Sequence, residues 1–250
     1  HGEQPFWAVT ALAAMLGQMG KPGGGVAYGY TITNYLGNNV FKMPYAPLPQ
    51  GKNLVTDFIP VARVSDMLLN PGQKFDYDGR EYTYPDIDMI YWAGGNPFHH
   101  HQDLGRLRKA WEKPSTVVVN EWCWNALARH ADIILPCTTT LERQDIGMTP
   151  RDPFVISMDK AIEPVGEAKN DYDIFAGIAR RMDTEDSFTE GRSAEDWQKW
   201  IWEQSCERAA KLNVQMPDYE SFREAGFYKS PDLKEDRIFL SDFFEDPDKN

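Results

Sequence analysis

The stretch "IDMIYWAGGNPFHHHQDLGRLRKAWEKPSTVVVNE", residues 87–121, decides the architecture. Its opening "IDMIYWAGG" is an apolar run of strand length ending in a glycine pair. Leu104, Leu107 and Trp111 then recur at helical spacing, and "STVVVNE" (115–121) is a β-branched strand. Just downstream, "WNALARHA" (124–131) reads as a short helix and "DIILP" (132–136) as a third strand. Strands alternating with helices in this way predict an α/β fold with a parallel sheet and covering helices.

Working outward, "PFWAVTALAAMLGQ" (5–18) opens with a proline near the first helical turn and is apolar almost all round, which predicts a buried helix. It runs into the glycines around Gly23. Residues 26–60 carry Tyr, Asn, Pro and Gly without a period and are expected to be irregular. "VARVSDMLLN" (61–70) reads as a short helix, and "KFDYDGREYTYP" (74–85) as a hairpin turning at Asp78-Gly79. Beyond the alternating region come an extended "FVISMDKAIEP" (154–164), a helical "NDYDIFAGIARRM" (170–182), and a helix from Ala194 capped by Ser193. The expected division is therefore 1–60 (buried helix and irregular segment belonging to a neighbouring domain), 61–185 (the α/β domain) and 186–250 (a helical extension returning to a neighbouring domain).

The 250 residues are 42% hydrophobic and 13% aromatic, enough for a sizeable core in one large or two small domains. A net charge of -12 repels nucleic acid and anionic lipid, so neither is an expected partner. No apolar run approaches the roughly 20 residues of a membrane-spanning helix. The chain starts at His1 without an initiator methionine and stops within an acidic stretch, so it is expected to be an internal piece of a longer protein. Cys123, Cys137 and Cys206 are odd in number and lack CxxC spacing, which favours structural thiols over a zinc or disulfide framework.

The strand ends carry the chemistry. His99, His100 and His101 are consecutive and point in divergent directions, so they cannot converge on one ion; no metal ligand and no catalytic residue is assigned. Gly94 and Gly95 permit positive φ and close backbone approach, Asn96 offers a donor and an acceptor, and Pro97 stiffens the turn into a helix whose free amides suit a phosphate. Ligands in open α/β sheets lie beyond the carboxyl ends of the strands, where this loop falls. The motif is neither GxGxxG nor a Walker loop, and a plain strand-to-helix turn remains an alternative. Asn120 and Glu121 end the next strand, and a carboxylate there can accept from ribose hydroxyls or from guanine N–H groups. "ILPCTTTLERQD" (134–145) brings Thr138, Glu142, Arg143 and Asp145 to the third strand end, a set suited to a phosphorylated, hydrogen-bond-rich ligand. The expected class is thus a Rossmann-like, dinucleotide-binding parallel sheet with helices on both faces, plus irregular and helical extensions. A free-standing NAD- or flavin-binding module is the alternative.

"YWAGGNPFHHHQDLGRLRKAWEKP" (91–114), "ARHADIILPCTTTLERQDI" (128–146) and the opening "HGEQPFWAVTALAAMLGQMGKPGGG" (1–25) resemble the molybdopterin-dependent dimethyl sulfoxide reductase family. Within it, "GGNPFHHHQDL" resembles the branch of trimethylamine-N-oxide, dimethyl sulfoxide and biotin sulfoxide reductases. The resemblance implies a molybdenum bis(molybdopterin guanine dinucleotide) cofactor and reduction of S-oxides or N-oxides by oxygen-atom transfer to molybdenum. This stretch would hold one dinucleotide tail and be inactive by itself. Gly94, Gly95, Asn96 and Pro97 would lie against that tail, Asn120 and Glu121 would meet the guanosine, and Thr138 and Arg143 would stand beside it. The resemblance also implies that Asp171 recognises guanine, that His100 contacts the cofactor, and that Gly2 and Glu3 belong to a loop near the pterin. Other segments of the same catalytic subunit would complete the enzyme, with a c-type cytochrome or another carrier as electron donor. The compartment implied is the periplasm, or the cytoplasm for the biotin sulfoxide enzymes. Two positions depart from the branch: Asn125 stands where a threonine is usual, and Cys137 where a small residue is usual.

Overall fold

The computed structural model describes residues 3–26, 41–149, 152–232, 238 and 241. The chain divides into two compact units, one of residues 48–145 and 159–198, the other of residues 1–47, 146–158 and 199–250. The architecture is mixed α/β, with a parallel three-stranded sheet, an antiparallel hairpin and a second three-stranded sheet that contains an antiparallel pair.

In the first unit, β1 (Lys74–Tyr77) and β2 (Arg80–Thr83) form the antiparallel hairpin that Asp78-Gly79 predicts. Asp78 (φ 48°) and Gly79 (φ 72°) both take positive φ, the backbone a two-residue hairpin loop demands. The central sheet orders β3 (Met89–Ala93), β4 (Thr116–Glu121) and β5 (Ile133–Pro136), all parallel, with β4 in the middle. Register pairs Tyr91 with Val118 and Val119 with Ile134.

Alternation along the strands separates two faces. Val117 and Val119 pack with Leu68 of α2 (Val64–Leu69), Phe98 of α3 (Pro97–His100) and Leu107, Ala110 and Trp111 of α4 (Leu104–Trp111). On the other face, the Tyr91 ring lies 5.3 Å from the Phe175 ring of α5 (Asp171–Arg181).

The helical stretch after β3 is two helices, because His101 is extended and Asp103 sits at φ 48°. The Asp103 carboxylate accepts from the Arg106 amide at 3.1 Å and so restarts the chain as α4. The stretch 124–131 holds only a 3-10 turn, Ala128–His130. α6 (Glu185–Thr189) follows α5, and α7 (Ala194–Ala210) begins with Ser193 as cap. The Ser193 hydroxyl accepts from the Asp196 amide at 3.1 Å while Asp196 accepts from the Ser193 amide at 2.9 Å, a reciprocal capping box.

In the second unit, β6 (Asp145–Met148), β7 (Phe154–Met158) and β8 (Phe227–Lys229) form a three-stranded sheet, β7 antiparallel to β8. Val155, Trp202, Tyr219 and Phe222 form its core, with α8 (Tyr219–Ala225) stacking Phe222 on Trp202 at 3.8 Å between ring centroids. α1 (Gln4–Met15) is helical as expected, yet only Ala13 is buried; Phe6, Trp7, Leu12 and Met15 are exposed. A helix apolar all round buries itself only where other elements surround it, and here its side chains face outward. No helix among the described residues is long and apolar enough to cross a membrane.

Candidate functional site

Three parallel strands deliver their carboxyl ends to one edge, where Asn120 and Glu121 close β4 and the loops from Gly94 and Cys137 leave β3 and β5. Gly94 (φ 82°) and Gly95 (φ 71°) carry the chain out of β3, with open space where a Cβ would point. Asn96 then caps α3, its Oδ1 accepting from the Phe98 amide at 3.0 Å. Asn96 is 8% exposed, and its Nδ2 is buried without a hydrogen-bond partner. An orphaned amide donor beside an open double-glycine turn is an arrangement suited to an acceptor brought by a ligand. Pro97 is fully buried beneath it.

At the end of β4, Asn120 and Glu121 diverge to opposite faces, as strand neighbours must. The Asn120 Nδ2 donates to Asp171 Oδ1 at 2.7 Å, and its Oδ1 accepts from the Tyr91 hydroxyl at 2.7 Å. Glu121 accepts from the Asn125 amide, whose Oδ1 in turn caps the Ala128 amide at 3.0 Å. The residue at position 125 thus grips the strand-end carboxylate through its side-chain amide.

After β5 the loop is fixed from both sides. Lys169 donates its amide to Pro136 O, and the Thr138 amide donates to Lys169 O, both at 3.1 Å, so residues 169–171 run alongside the strand end. Thr138 is buried and donates its hydroxyl to Asn170 Oδ1 at 2.8 Å. Arg143 donates to Thr138 O at 2.9 Å and to Asp145 at 3.0 Å. Glu142 is buried and accepts from the Thr139 amide, the Thr139 hydroxyl and the Val165 amide, each at 2.7 Å. Those donors hold its carboxyl below the usual carboxylate range.

Electrostatics places the cluster in one neighbourhood. Burial pushes the Cys137 thiol up to about 11, helped by the Asp171 and Glu121 carboxylates and opposed by Arg143. A thiol so protonated is a packing group, not a nucleophile. Beside the third strand end, Arg143, Lys169 and Asn170 line a cleft of about 410 Å³.

The structure therefore brings Asn120, Glu121, Thr138, Arg143 and Asp171 together around Cys137, with Gly94, Gly95, Asn96 and Pro97 on the loop of the adjacent strand. His100 is exposed at the end of α3, and among the described residues no hydrogen bond joins its ring to the cluster. Gly2 lies outside the described residues, and Glu3 precedes α1. Sequence reasoning assigned no site role to Tyr91, Asn125 or Asn170. Tyr91 was findable, since it lies two residues from the strand position paired with Asn120 and on the same face. Among the described residues no group of three or more His, Cys, Asp or Glu side chains is placed to hold a metal ion.

The molybdopterin oxidoreductase family profile matches residues 1–181. Biotin sulfoxide reductase of Cereibacter sphaeroides is 45% identical over 249 residues, covering 99% of this chain and 33% of the relative. Dimethyl sulfoxide/trimethylamine N-oxide reductase of the same organism is 42% identical over 99% of this chain and 32% of its own length. Trimethylamine-N-oxide reductase of Haemophilus influenzae is 42% identical over 89% and 28%. Among solved structures, acetylene hydratase from Pelobacter acetylenicus aligns with 65% of this chain and 23% of its own at 20% identity and a TM-score of 0.45. The chain spans about a third of the length of the curated relatives it matches. A family whose cofactor is a molybdenum-bearing pterin fits a strand edge rich in fixed donors and acceptors with one buried amide donor unused. With most of its residues matched by the profile and close relatives along nearly its whole length, the chain belongs to the molybdopterin oxidoreductase family.

Proposed function

We propose that this chain is the part of a molybdenum S-oxide or N-oxide reductase that anchors one guanine dinucleotide tail of the pterin cofactor. The observation that carries the reading is the shared strand edge, where Asn120 and Asp171 are locked together and Asn96 Nδ2 awaits an acceptor. A doubly covered, Rossmann-like sheet within residues 61–185 would be the binding unit. Two features favour this arrangement: helices α2–α4 pack on one face and Phe175 of α5 meets Tyr91 on the other.

Bound molybdenum would supply the oxygen-atom transfer chemistry. The residues here orient and hold. Asn96 would donate to the tail, Asp171 would accept guanine N–H groups, and Arg143 and Thr138 would shape the rim beside them. None of these side chains needs to move a proton in the reaction. The relatives' names, biotin sulfoxide and dimethyl sulfoxide/trimethylamine N-oxide reductase, support the substrate class. Exposed Phe6, Trp7, Leu12 and Met15 on α1 support a further expectation, that other segments of a longer catalytic subunit cover this helix.

The test is to purify the full-length protein and to identify the nucleotide and metal that it releases on denaturation. GMP with molybdenum supports the reading; CMP in place of GMP, or NAD or FAD, would overturn it.

A further inference from the structure

Tyr91 is given no role by the family resemblance, yet its hydroxyl begins a hydrogen-bond chain that ends at Asp171. Three groups are in line: Tyr91 hydroxyl, Asn120 side-chain amide, Asp171 carboxylate, with both contacts at 2.7 Å. Asn120 is 5% exposed, so water cannot freely replace either partner.

The direction of every bond in this chain is determined. An ionised carboxylate only accepts, so Asn120 must turn its Nδ2 toward Asp171. Its Oδ1 then faces Tyr91, which leaves the hydroxyl no choice but to donate. The reverse amide orientation would set two acceptors, Asn120 Oδ1 and Asp171 Oδ1, against each other at hydrogen-bond distance. The Tyr91 ring lies 5.3 Å from Phe175, on the same helix that carries Asp171, while its position in β3 sets where the hydroxyl falls. Burial and the nearby Asp171 carboxylate raise the Tyr91 pKa, which keeps the hydroxyl protonated and able to donate.

We propose that Tyr91 is a positioning residue that fixes the Asn120 amide and, through it, the plane of the Asp171 carboxylate, and so sets the preference of this site for a purine bearing a 2-amino group. The inference rests on the guanine reading above. Asp171 Oδ1 is held by Asn120, so the carboxylate plane is set before any base arrives, and its remaining acceptor positions can meet N1–H and the 2-amino group together. Without the Tyr91 hydroxyl, the amide keeps its Nδ2 toward Asp171 but loses the contact that holds its Oδ1, so its plane can swing about that one remaining bond. The carboxylate then loses its fixed neighbour, and the 2-amino contact weakens most.

The experiment uses the full-length catalytic chain, purified from a host that cannot make the pterin cofactor, with GMP and IMP as probes. IMP lacks only the 2-amino group. Wild type is expected to bind GMP at least about tenfold more tightly than IMP, the worth of one hydrogen bond to a charged acceptor. Tyr91→Phe keeps the ring and is expected to bring that ratio down to about threefold or less. Phe175→Leu, which loosens the ring contact and spares the hydroxyl, should leave the ratio near that of wild type. If Tyr91→Phe retains the full ratio, Tyr91 does not position the carboxylate, although the guanine reading stands. Equal loss of the ratio in Tyr91→Phe and Phe175→Leu would likewise overturn the proposal, because packing would then be the cause. No preference for GMP over IMP in wild type would remove the guanine reading itself, and this inference with it.

Discussion

Replacing Asn96 by serine separates what the side chain does for the fold from what it does for a ligand. The Oδ1 caps α3 through the Phe98 amide at 3.0 Å, and serine is as good a cap, so this contact survives. The Nδ2 is buried without a partner, a state that costs about 1–3 kcal/mol by the usual desolvation penalty. Removing it relieves that cost, while the smaller side chain leaves a void worth about 1 kcal/mol in the other direction. The cofactor-free protein should therefore be unchanged or more stable by up to about 2 kcal/mol. With cofactor bound, the lost donor should weaken the complex by about 1.5–3 kcal/mol if its acceptor is charged, which is roughly 10- to 150-fold in affinity. At about 2–4 °C per kcal/mol for a domain of this size, the gap in Tm between loaded and empty protein should narrow by several degrees. Differential scanning calorimetry of full-length wild type and Asn96→Ser, each prepared with and without cofactor, measures all four values. A variant whose empty form falls as far as its loaded form would show that Nδ2 serves the fold, and the reasoning would fail.

Other consequences follow from the same contacts. Leu107 is 0% exposed at the centre of the α2–α4 face, so Leu107→Ala should cost about 2–5 kcal/mol in denaturant unfolding; a loss under about 1 kcal/mol would mean that this core is not tightly packed. Glu142 has a depressed pKa in the folded chain, so its contribution is present above the unfolded carboxylate range, near 4.5, and is lost as pH falls through its lower folded value. The stability gap between wild type and Glu142→Gln should thus be open at pH 6 and shrink toward pH 3; a constant gap would refute the assignment. With its thiol at about 11 against an ordinary 9.0, Cys137 should alkylate roughly 100-fold more slowly than a free thiol at pH 8, as judged by peptide mapping after iodoacetamide.

Sequence patterns gave the sheet because burial writes itself into strands. "STVVVNE" reads as a β-branched strand, and β4 is central, with Val117, Val118 and Val119 all buried. The hairpin was legible for an equally local reason, since Asp78-Gly79 tolerates the positive φ angles that the turn needs. Where signals compete, legibility ends. The histidine run and "QDLGRLRKAW" merge into one helical pattern unless Asp103 is read as a cap, and its left-handed φ of 48° is invisible in a periodicity. β8 is three residues long and pairs with β7 from more than 65 positions away, so no local property marks it.

The site divides along the same line. Which residues reach the strand edge follows largely from where the strands end; how they are wired depends on parity and on a distant segment. Tyr91 and Asn120 share a face because the β3–β4 register pairs Tyr91 with Val118 and Ala93 with Asn120. Asp171 joins them only because residue 169 bridges to Cys137 and carries α5 to that face. Glu121, one residue on from Asn120, is turned the other way and is satisfied by Asn125. A ligand lying across this edge would therefore meet two differently held carboxylates: Asp171 tied to the sheet through Asn120, and Glu121 tied to its own loop. Substitutions at Asn120 should disturb the first and spare the second, so the two faces of the edge can be probed independently.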